Sequence, residues 1–284
     1  MKILVLGSTG MLGTYISQFC IHTNHTLEYP QGRKDGRIDY LKPSQVIEEI
    51  SRIQPGVVIN CVAITSFDHC EQFPQEAEQV NSITPSDISN YCGENGIYFI
   101  HISTDHFYEN DKNLAHTEDH PVKAINHYAR TKLVAENNVL KNHNALVLRT
   151  SIIGRNKKGS SFLDWLINSM ENNKKIDLFK DAYTSFIHCN EFVNLIFEIL
   201  EYKPTGLFNL ASKEVFSKAD YAIALAKYLK LNMEYNLKTV DTLSVKRANS
   251  CGLNSNNISS LLNINLPTMM DTVKSTADEL LKKT

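Results

Sequence analysis

The chain has 284 residues, 42% hydrophobic and 21% charged, with a formal charge of −2. That is the balance of an ordinary soluble globular protein, long enough to build its own core without disulfide or metal staples. The cations do not gather: Lys157 with Lys158, and Lys174 with Lys175, are only pairs, so no nucleic acid or other polyanion is expected as a partner.

The first element is a strand, KILVL at 2–6. A chain that opens on a strand predicts no signal peptide, and the expected location is the cytoplasm. The strand runs into GSTGMLG at 7–13, a GxxGxxG spacing, and a helix is predicted from Met11. Glycines at these positions permit a tight turn, a close approach of backbone N–H groups to a pyrophosphate, and close helix–strand packing. The helix N-terminus adds unpaired amides and the positive end of its dipole. A dinucleotide site is therefore predicted at this loop. The acidic residue that holds a ribose is expected about 20 positions on, where Glu28 stands. Arg33 and Lys34 follow and could instead meet a 2′-phosphate, so NADPH is the preferred cofactor and NAD remains open.

Further along, VVINCVA (57–63), GIYFIHIS (96–103) and NALVLRTS (144–151) read as short buried strands separated by helical stretches. Residues 74–95 read as helical with an interruption at Pro85. Residues 126–142 read as an amphipathic helix, with Tyr128, Leu133, Val134 and Val139 on one side and Lys132, Glu136 and Lys141 among the polar remainder. Beyond 151 the pattern gives helices at 160–172, 190–202, 217–231 and 268–282 and a strand at 206–211. No apolar run approaches the ~20 residues of a membrane span; the best, 192–200, is broken by Asn194 and Glu198, so no membrane is expected.

Alternating strands and helices predict an α/β fold, a Rossmann-like doubly wound parallel sheet with a smaller, partly interleaved C-terminal substrate lobe. Residues 1–151 would form the dinucleotide-binding domain, with 184–212 returning to it, and 152–183 with 213–284 the substrate-binding lobe. The six cysteines are scattered without a CxxC, which supports neither a disulfide framework nor a zinc site. Asp68, His69, Cys70 and Glu71 look metal-like, but adjacent residues on one segment rarely converge on one ion, and no metal is expected.

Tyr128 and Lys132 are four apart and share one helix face. A phenol is a poor proton relay at neutral pH unless a nearby cation favours the phenolate, and an ammonium one turn away is such a cation. Ser103 and Thr104 end the strand that closes with HISTD; a hydroxyl there could hydrogen-bond a substrate carbonyl and polarise it for hydride attack.

Taken with GSTGMLG and YARTK, the stretches KILVLGSTGMLG, GVVINCVAITSFDHCE, VNSITP, HISTD, TEDHPVKAINHYARTKLVAE and LVLRTSIIG resemble the extended short-chain dehydrogenase/reductases, and within them the dTDP-4-dehydrorhamnose reductase group. The match covers most of residues 1–154, and GLFNLASKEVFSKADYAIALAKYL is similar to the group's substrate lobe more loosely. The resemblance implies an NAD(P)-dependent oxidoreductase of nucleotide-sugar and polysaccharide biosynthesis. It implies Tyr128 as proton donor, Lys132 as its activator and ribose anchor, and Thr104 as carbonyl hydrogen-bond donor. Gly7, Thr9, Gly10, Met11 and Leu12 would wrap the pyrophosphate, Asp39 would lie near the adenine, and Cys61, Val62, Ala63 and Ser103 along the cofactor. Thr65, Asp105 and Ile152 would edge the sugar.

Three departures bear on that sugar. The group's STDYVFDG reads STDHFYEN here, a tryptophan that packs on the sugar is replaced by Ile152, and Ala129 follows the tyrosine in place of glycine. The expected reaction is reduction of the 4-keto group of a nucleotide-linked 6-deoxyhexose, by a protein working alone or as a homodimer. Two other readings keep the fold: an epimerase or dehydratase that recycles bound NAD, and a non-catalytic NADP-binding regulatory subunit. Retention of Thr104, Tyr128 and Lys132 together argues against the last.

Overall fold

The computed structural model describes residues 1–19, 24–30, 38–112 and 114–281. In chain order the first elements are β1 (Lys2–Leu6), α1 (Met11–Phe19), β2 (Thr26–Glu28), α2 (Pro43–Ile53), β3 (Val57–Asn60), α3 (Phe67–Gln72), α4 (Pro74–Glu78), α5 (Thr84–Glu94), β4 (Tyr98–Ile102), α6 (His127–Val139) and β5 (Ala145–Arg149). There follow β6 (Ile152–Ile153), α7 (Phe162–Glu171), β7 (Ile176–Phe179), β8 (Tyr183–Thr184), β9 (Ile187–His188), α8 (Cys189–Tyr202), β10 (Gly206–Asn209), β11 (Phe216–Ser217), α9 (Lys218–Leu229), β12 (Tyr235–Lys238), β13 (Ser250–Cys251), α10 (Asn256–Leu262) and α11 (Met269–Leu281).

Local chemistry explains several boundaries. The strand expected over 57–63 stops at Asn60, whose side-chain carbonyl turns back to accept the Val62 N–H at 3.1 Å. Such an Asx turn gives the backbone an alternative to the ladder. The interruption expected at Pro85 takes the form of a π-helical turn, Gln79–Ile83, just ahead of α5. Proline lacks an N–H and its ring crowds the carbonyl one turn back, so the helix widens there and continues. The widened turn points Asn81 and Ser82 inward. Asn81 clasps the backbone of Ile64 at 2.8 and 3.0 Å, and Ser82 Oγ donates to the Thr131 carbonyl at 2.7 Å. The helix expected from 126 begins with Asn126 as its cap, accepting the Ala129 N–H at 2.8 Å.

By internal packing the described chain divides into two compact units: residues 1–104, 124–148 and 199–208, and residues 105–123, 149–198 and 209–284. The first unit holds a six-stranded sheet ordered β10-β5-β4-β3-β1-β2. The pairs β1·β2, β1·β3, β3·β4 and β4·β5 are parallel, with Leu6 opposite Asn60 and Asn60 opposite His101. This is the doubly wound α/β sheet expected. The order reverses at β1, so the ends of β1 and β3 open beside one another at the switch point where such sheets bind ligands. On one face, Leu4, Leu6, Val58, Phe99, Ala145 and Val147 pack against Val46, Ile50, Ile88 and Val139 from α2, α5 and α6. Strands buried on both faces explain the near-continuous apolar runs in the sequence.

The second unit has its own core. Leu163, Leu166, Ile167 and Met170 of α7, Tyr221, Ala222 and Leu225 of α9, and Val273 and Ala277 of α11 pack with Leu178 and Phe186. Helices α7 and α9 both start in capping boxes, Ser161 with Asp164 and Ser217 with Asp220. Two features here carry no clear sequence signal: the parallel pair β7·β12 and the small sheet β11-β8-β13. Strand β12 is exposed along its whole length, so no buried face imposes alternation on it. Among the described residues, no helix is long and apolar enough to cross a membrane.

Candidate active site

The glycine loop is built by contacts that leave no room for side chains. Gly7 has φ +79°, and a Cβ there would sit 3.1 Å from the Cys61 carbonyl carbon and from Val62 Cγ2. The turns after β1 and β3 therefore press together. At Gly13 an added Cβ would lie 2.3 Å from Gly7 O and 2.6 Å from Ser8 Cα, so α1 is seated directly under the loop. The Gly10 N–H donates to Gly7 O at 3.0 Å, and the Gly7 N–H donates to the Tyr40 hydroxyl at 3.1 Å. Thr9, Met11 and Leu12 complete the loop and the first turn of α1, where helix amides have no acceptor within the helix. Glycine at 7 and 13 thus lets the loop backbone lie directly against the turn after β3 and the start of α1.

The other expected cofactor residues stand as follows. Cys61, Val62 and Ala63 form the partly exposed turn after β3, with Thr65 exposed two residues on. Asp39 accepts the Leu41 N–H at 3.0 Å and pairs with Lys42 at 3.4 Å in the turn before α2. Arg33 and Lys34 lie outside the described residues. Ser103 and Thr104, both buried, follow β4, and Ser103 Oγ donates to the Glu136 carboxylate on α6.

Tyr128 and Lys132 lie on α6. Tyr128 is 7% exposed, packs with Cys70 and Ala77, and meets the Phe67 ring edge-on at 5.2 Å. Lys132 is 1% exposed and runs under β4, where its Nζ donates to the Ile102 carbonyl at 2.7 Å and stands 3.1 Å from His101 Nε2. An ammonium so enclosed loses hydration. Burial pulls Lys132 down from 10.5 to about 8, against the opposing pull of Glu136 and Cys61.

Sequence reasoning missed the pair behind Lys132. His101 is fully buried in β4 and faces Asn60 in β3, its ring Nδ1 3.2 Å from Asn60 Nδ2. Burial first, and the Lys132 charge second, hold His101 well below the ordinary imidazole range, so it is neutral. The direction of the chain follows. Asn60 Oδ1 is taken by the Val62 N–H, so the amide nitrogen donates to Nδ1, and the ring's one proton sits on Nε2. That N–H points at Lys132 Nζ. An ammonium has only donors, so this contact opposes the charged lysine in the same direction as burial. The strand motif YFIHI held a clue, a histidine in an otherwise apolar strand, but its partners lie 41 positions before it and 31 after it.

In the second unit, Asp105 is buried, with His106 Nε2 3.7 Å from its carboxylate. Ile152, half-buried in β6, pairs with Ile187 of β9. The residues 68–71 do not gather round an ion: His69 Nε2 meets Glu76 at 3.0 Å, the Cys70 thiol donates to the Ile64 carbonyl, and Glu71 accepts the His127 N–H at 2.6 Å.

Comparison with known proteins adds the following. Residues 1–282 match the family described as the RmlD substrate binding domain. The chain is 24% identical to the probable low-salt glycan biosynthesis reductase of Haloferax volcanii over 95% of each chain. It is 28% identical to the dTDP-4-dehydrorhamnose reductase of Mycolicibacterium smegmatis over 78% of this chain and 68% of that one. The crystal structure of a dTDP-4-dehydrorhamnose reductase ortholog from Clostridium acetobutylicum superposes with a TM-score of 0.89, at 23% identity, over 99% of this chain and 100% of that one. The enzyme from Bacillus anthracis, solved in complex with NADP, gives 0.87 at 19% identity over 98% and 99%.

Proposed function

Since the chain belongs to the family described as the RmlD substrate binding domain, we propose that it is an NADPH-dependent reductase acting on the 4-keto group of a nucleotide-linked 6-deoxyhexose. The observation that carries this reading is the Tyr128–Lys132 pair, with the ammonium driven into a buried position beneath the end of β4. A solvated lysine one turn from a tyrosine needs no such burial. Names of relatives support it: the similar proteins include several dTDP-4-dehydrorhamnose reductases.

In this reading the first unit is the dinucleotide-binding domain and the second the substrate lobe. The loop of Gly7, Thr9, Gly10, Met11 and Leu12 holds the pyrophosphate, Asp39 approaches the adenine, and Cys61, Val62, Ala63 and Ser103 flank the cofactor. NADPH, when bound, supplies the hydride that reduces the carbonyl carbon. Thr104 donates a hydrogen bond to the carbonyl oxygen, and Tyr128 gives its phenolic proton to that oxygen as negative charge develops there. Lys132 stabilises the phenolate left behind, which takes a proton back from solvent. Ser103, tied to Glu136, braces the end of β4 against α6. Thr65, Asp105 and Ile152 contact the sugar, and Ile152 offers it an aliphatic surface without an aromatic face. A cytoplasmic location and a homodimeric state belong to the same reading.

The test is incubation with NADPH and a panel of nucleotide-linked 4-keto-6-deoxyhexoses, following cofactor absorbance. Stoichiometric NADPH consumption is expected. Turnover of the sugar with the cofactor retained and unchanged would identify an epimerase or dehydratase instead, and no turnover of any member would point to a binding subunit.

The depressed Lys132 value also sets a pH profile. Lys132 is charged below about 8 and loses its proton above it, and with it the stabilisation of the phenolate. We expect kcat/KM, measured at saturating NADPH between about pH 6 and pH 10, to fall above about pH 8. Asn60→Ala frees His101 to move its proton to Nδ1, so that Nε2 accepts from the ammonium. The alkaline limb should then move up by about one pH unit. A limb at the same pH in both proteins would disconnect Asn60 and His101 from Lys132.

A further inference from the structure

The segment 105–123, in the second unit, carries a group of donors that the proposed reduction does not use. Asp111, His116 and His120 each offer one ligand atom, and the three atoms lie within 4.8 Å of one another. His116 is the central member. Its side chain is fully buried and stacks on the Tyr108 ring at 3.9 Å and 5°. Its Nδ1 lies 2.8 Å from the Gly252 carbonyl oxygen, and its Nε2 lies 3.2 Å from Asp111 Oδ2.

The protonation of that ring is constrained from both sides. A carbonyl oxygen only accepts, so Nδ1 carries a hydrogen. In the neutral ring Nε2 then bears a lone pair, and it faces a carboxylate oxygen that also only accepts. A cation placed between this nitrogen and the carboxylate oxygen, 3.2 Å apart, would satisfy both. The Arg149 guanidinium donates to the hydroxyl of the same Tyr108 at 2.9 Å. The His120 ring also stands 4.5 Å away, with its Nε2 3.9 Å from the same Asp111 oxygen. A single cation shared by both imidazoles and the carboxylate satisfies every atom at once.

We propose that Asp111, His116 and His120 form a binding site for one divalent first-row transition metal, with zinc the best match to two imidazole nitrogens and a carboxylate. Ligand atoms on a tetrahedral zinc stand roughly 3.3 Å apart, for bonds of about 2.0–2.1 Å. Here the Asp111 oxygen stands 3.2 Å from His116 Nε2 and 3.9 Å from His120 Nε2, with all three ligand atoms within 4.8 Å of one another, and His120 would draw in to close the set. The His116 N–H to the Gly252 carbonyl is the outer hydrogen bond that fixes the tautomer and orientation of a metal-bound histidine. Access is open, because Asp111 and His120 are 41% and 33% exposed. Three protein ligands leave the fourth position to water. The metal would pin 105–123 to the backbone at Gly252 and Leu253, where His116 forms its isolated bridge. A second cluster, Asp105, His106 and Cys251, is unlike it: Lys218 and Arg247 lie close enough to oppose a cation, and burial keeps the Cys251 thiol protonated.

The test is titration of the chelator-stripped full chain with cobalt(II), read by its visible ligand-field absorption, and with zinc, read by calorimetry. One equivalent should bind, with an intense band indicating tetrahedral coordination. His120→Ala and Asp111→Asn, both at exposed positions, should each weaken binding at least about 10-fold. Zinc should raise the melting temperature of the parent and not of His120→Ala. His69→Ala, which removes a histidine paired with Glu76 elsewhere, should change none of these. Absence of a cobalt band, or equal binding by parent, His120→Ala and Asp111→Asn, would overturn the site and leave an ion pair only.

Discussion

Replacing Tyr128 by phenylalanine should lower kcat by about 100-fold or more while leaving NADPH affinity within about twofold of the parent. The substitution deletes one oxygen from a side chain that is 7% exposed and packed against Phe67, Cys70 and Ala77. The ring keeps that packing, so neither the fold nor the seat of Lys132 should move. What disappears is the proton that neutralises the developing alkoxide. The loss should fall on kcat and kcat/KM alike, because the phenol acts in the transition state and adds little to ground-state binding. Stopped-flow measurement with a keto-sugar substrate and fluorescence titration with NADPH separate the two quantities. Near-normal turnover in Tyr128→Phe would remove Tyr128 from the chemistry, and with it the reading of the Tyr128–Lys132 pair.

The parts of this site visible in the sequence are those whose physics is local. The β1 strand, the glycine spacing and the start of α1 are contiguous, so their pattern shows in one stretch, although the Cys61–Val62 contact that demands glycine at 7 comes from the turn after β3. Tyr128 and Lys132 are visible because a helix turns their separation into a shared face. The parts that escaped are set by strand pairing. Asn60 and His101 meet because β3 and β4 lie side by side in register, which fixes their contact across 41 residues. A histidine in an apolar strand stands out locally, but nothing local names its partners. Asp111, His116 and His120 escaped for a related reason. They lie on a segment without helical or strand periodicity, so their spacing implies no common face, and only the folded path of 105–123 brings them together. The exposed strand β12 went unseen because no burial patterns its residues.

The second large effect is expected at Gly13. A methyl group there would stand 2.3 Å from Gly7 O, 2.6 Å from Ser8 Cα and 2.9 Å from the Gly7 carbonyl carbon. All three are backbone atoms, so no side chain can swing away, and relief requires the start of α1 to shift against the loop. Gly13→Ala should therefore destabilise the chain by about 1–3 kcal/mol, the usual cost of forcing an extra methyl into a packed site. The melting temperature should fall by about 5 °C. The same shift moves the loop amides that receive the pyrophosphate, and NADPH affinity should drop at least about tenfold. Gly10→Ala is the matched control for stability alone, because its methyl would meet only Gly7 O, at 3.2 Å, and the loop can yield by a few tenths of an ångström, whereas its own place against the pyrophosphate bars it as a control for binding. Calorimetric melting and NADPH titration of both variants read the two effects separately. If Gly13→Ala lowers the melting temperature but binds NADPH as the parent does, the loop supports the helix without holding the cofactor, and the dinucleotide must lie elsewhere. If both quantities fall together in Gly13→Ala, and Gly10→Ala lowers the melting temperature far less, the close seating of α1 under the loop is what shapes the cofactor site.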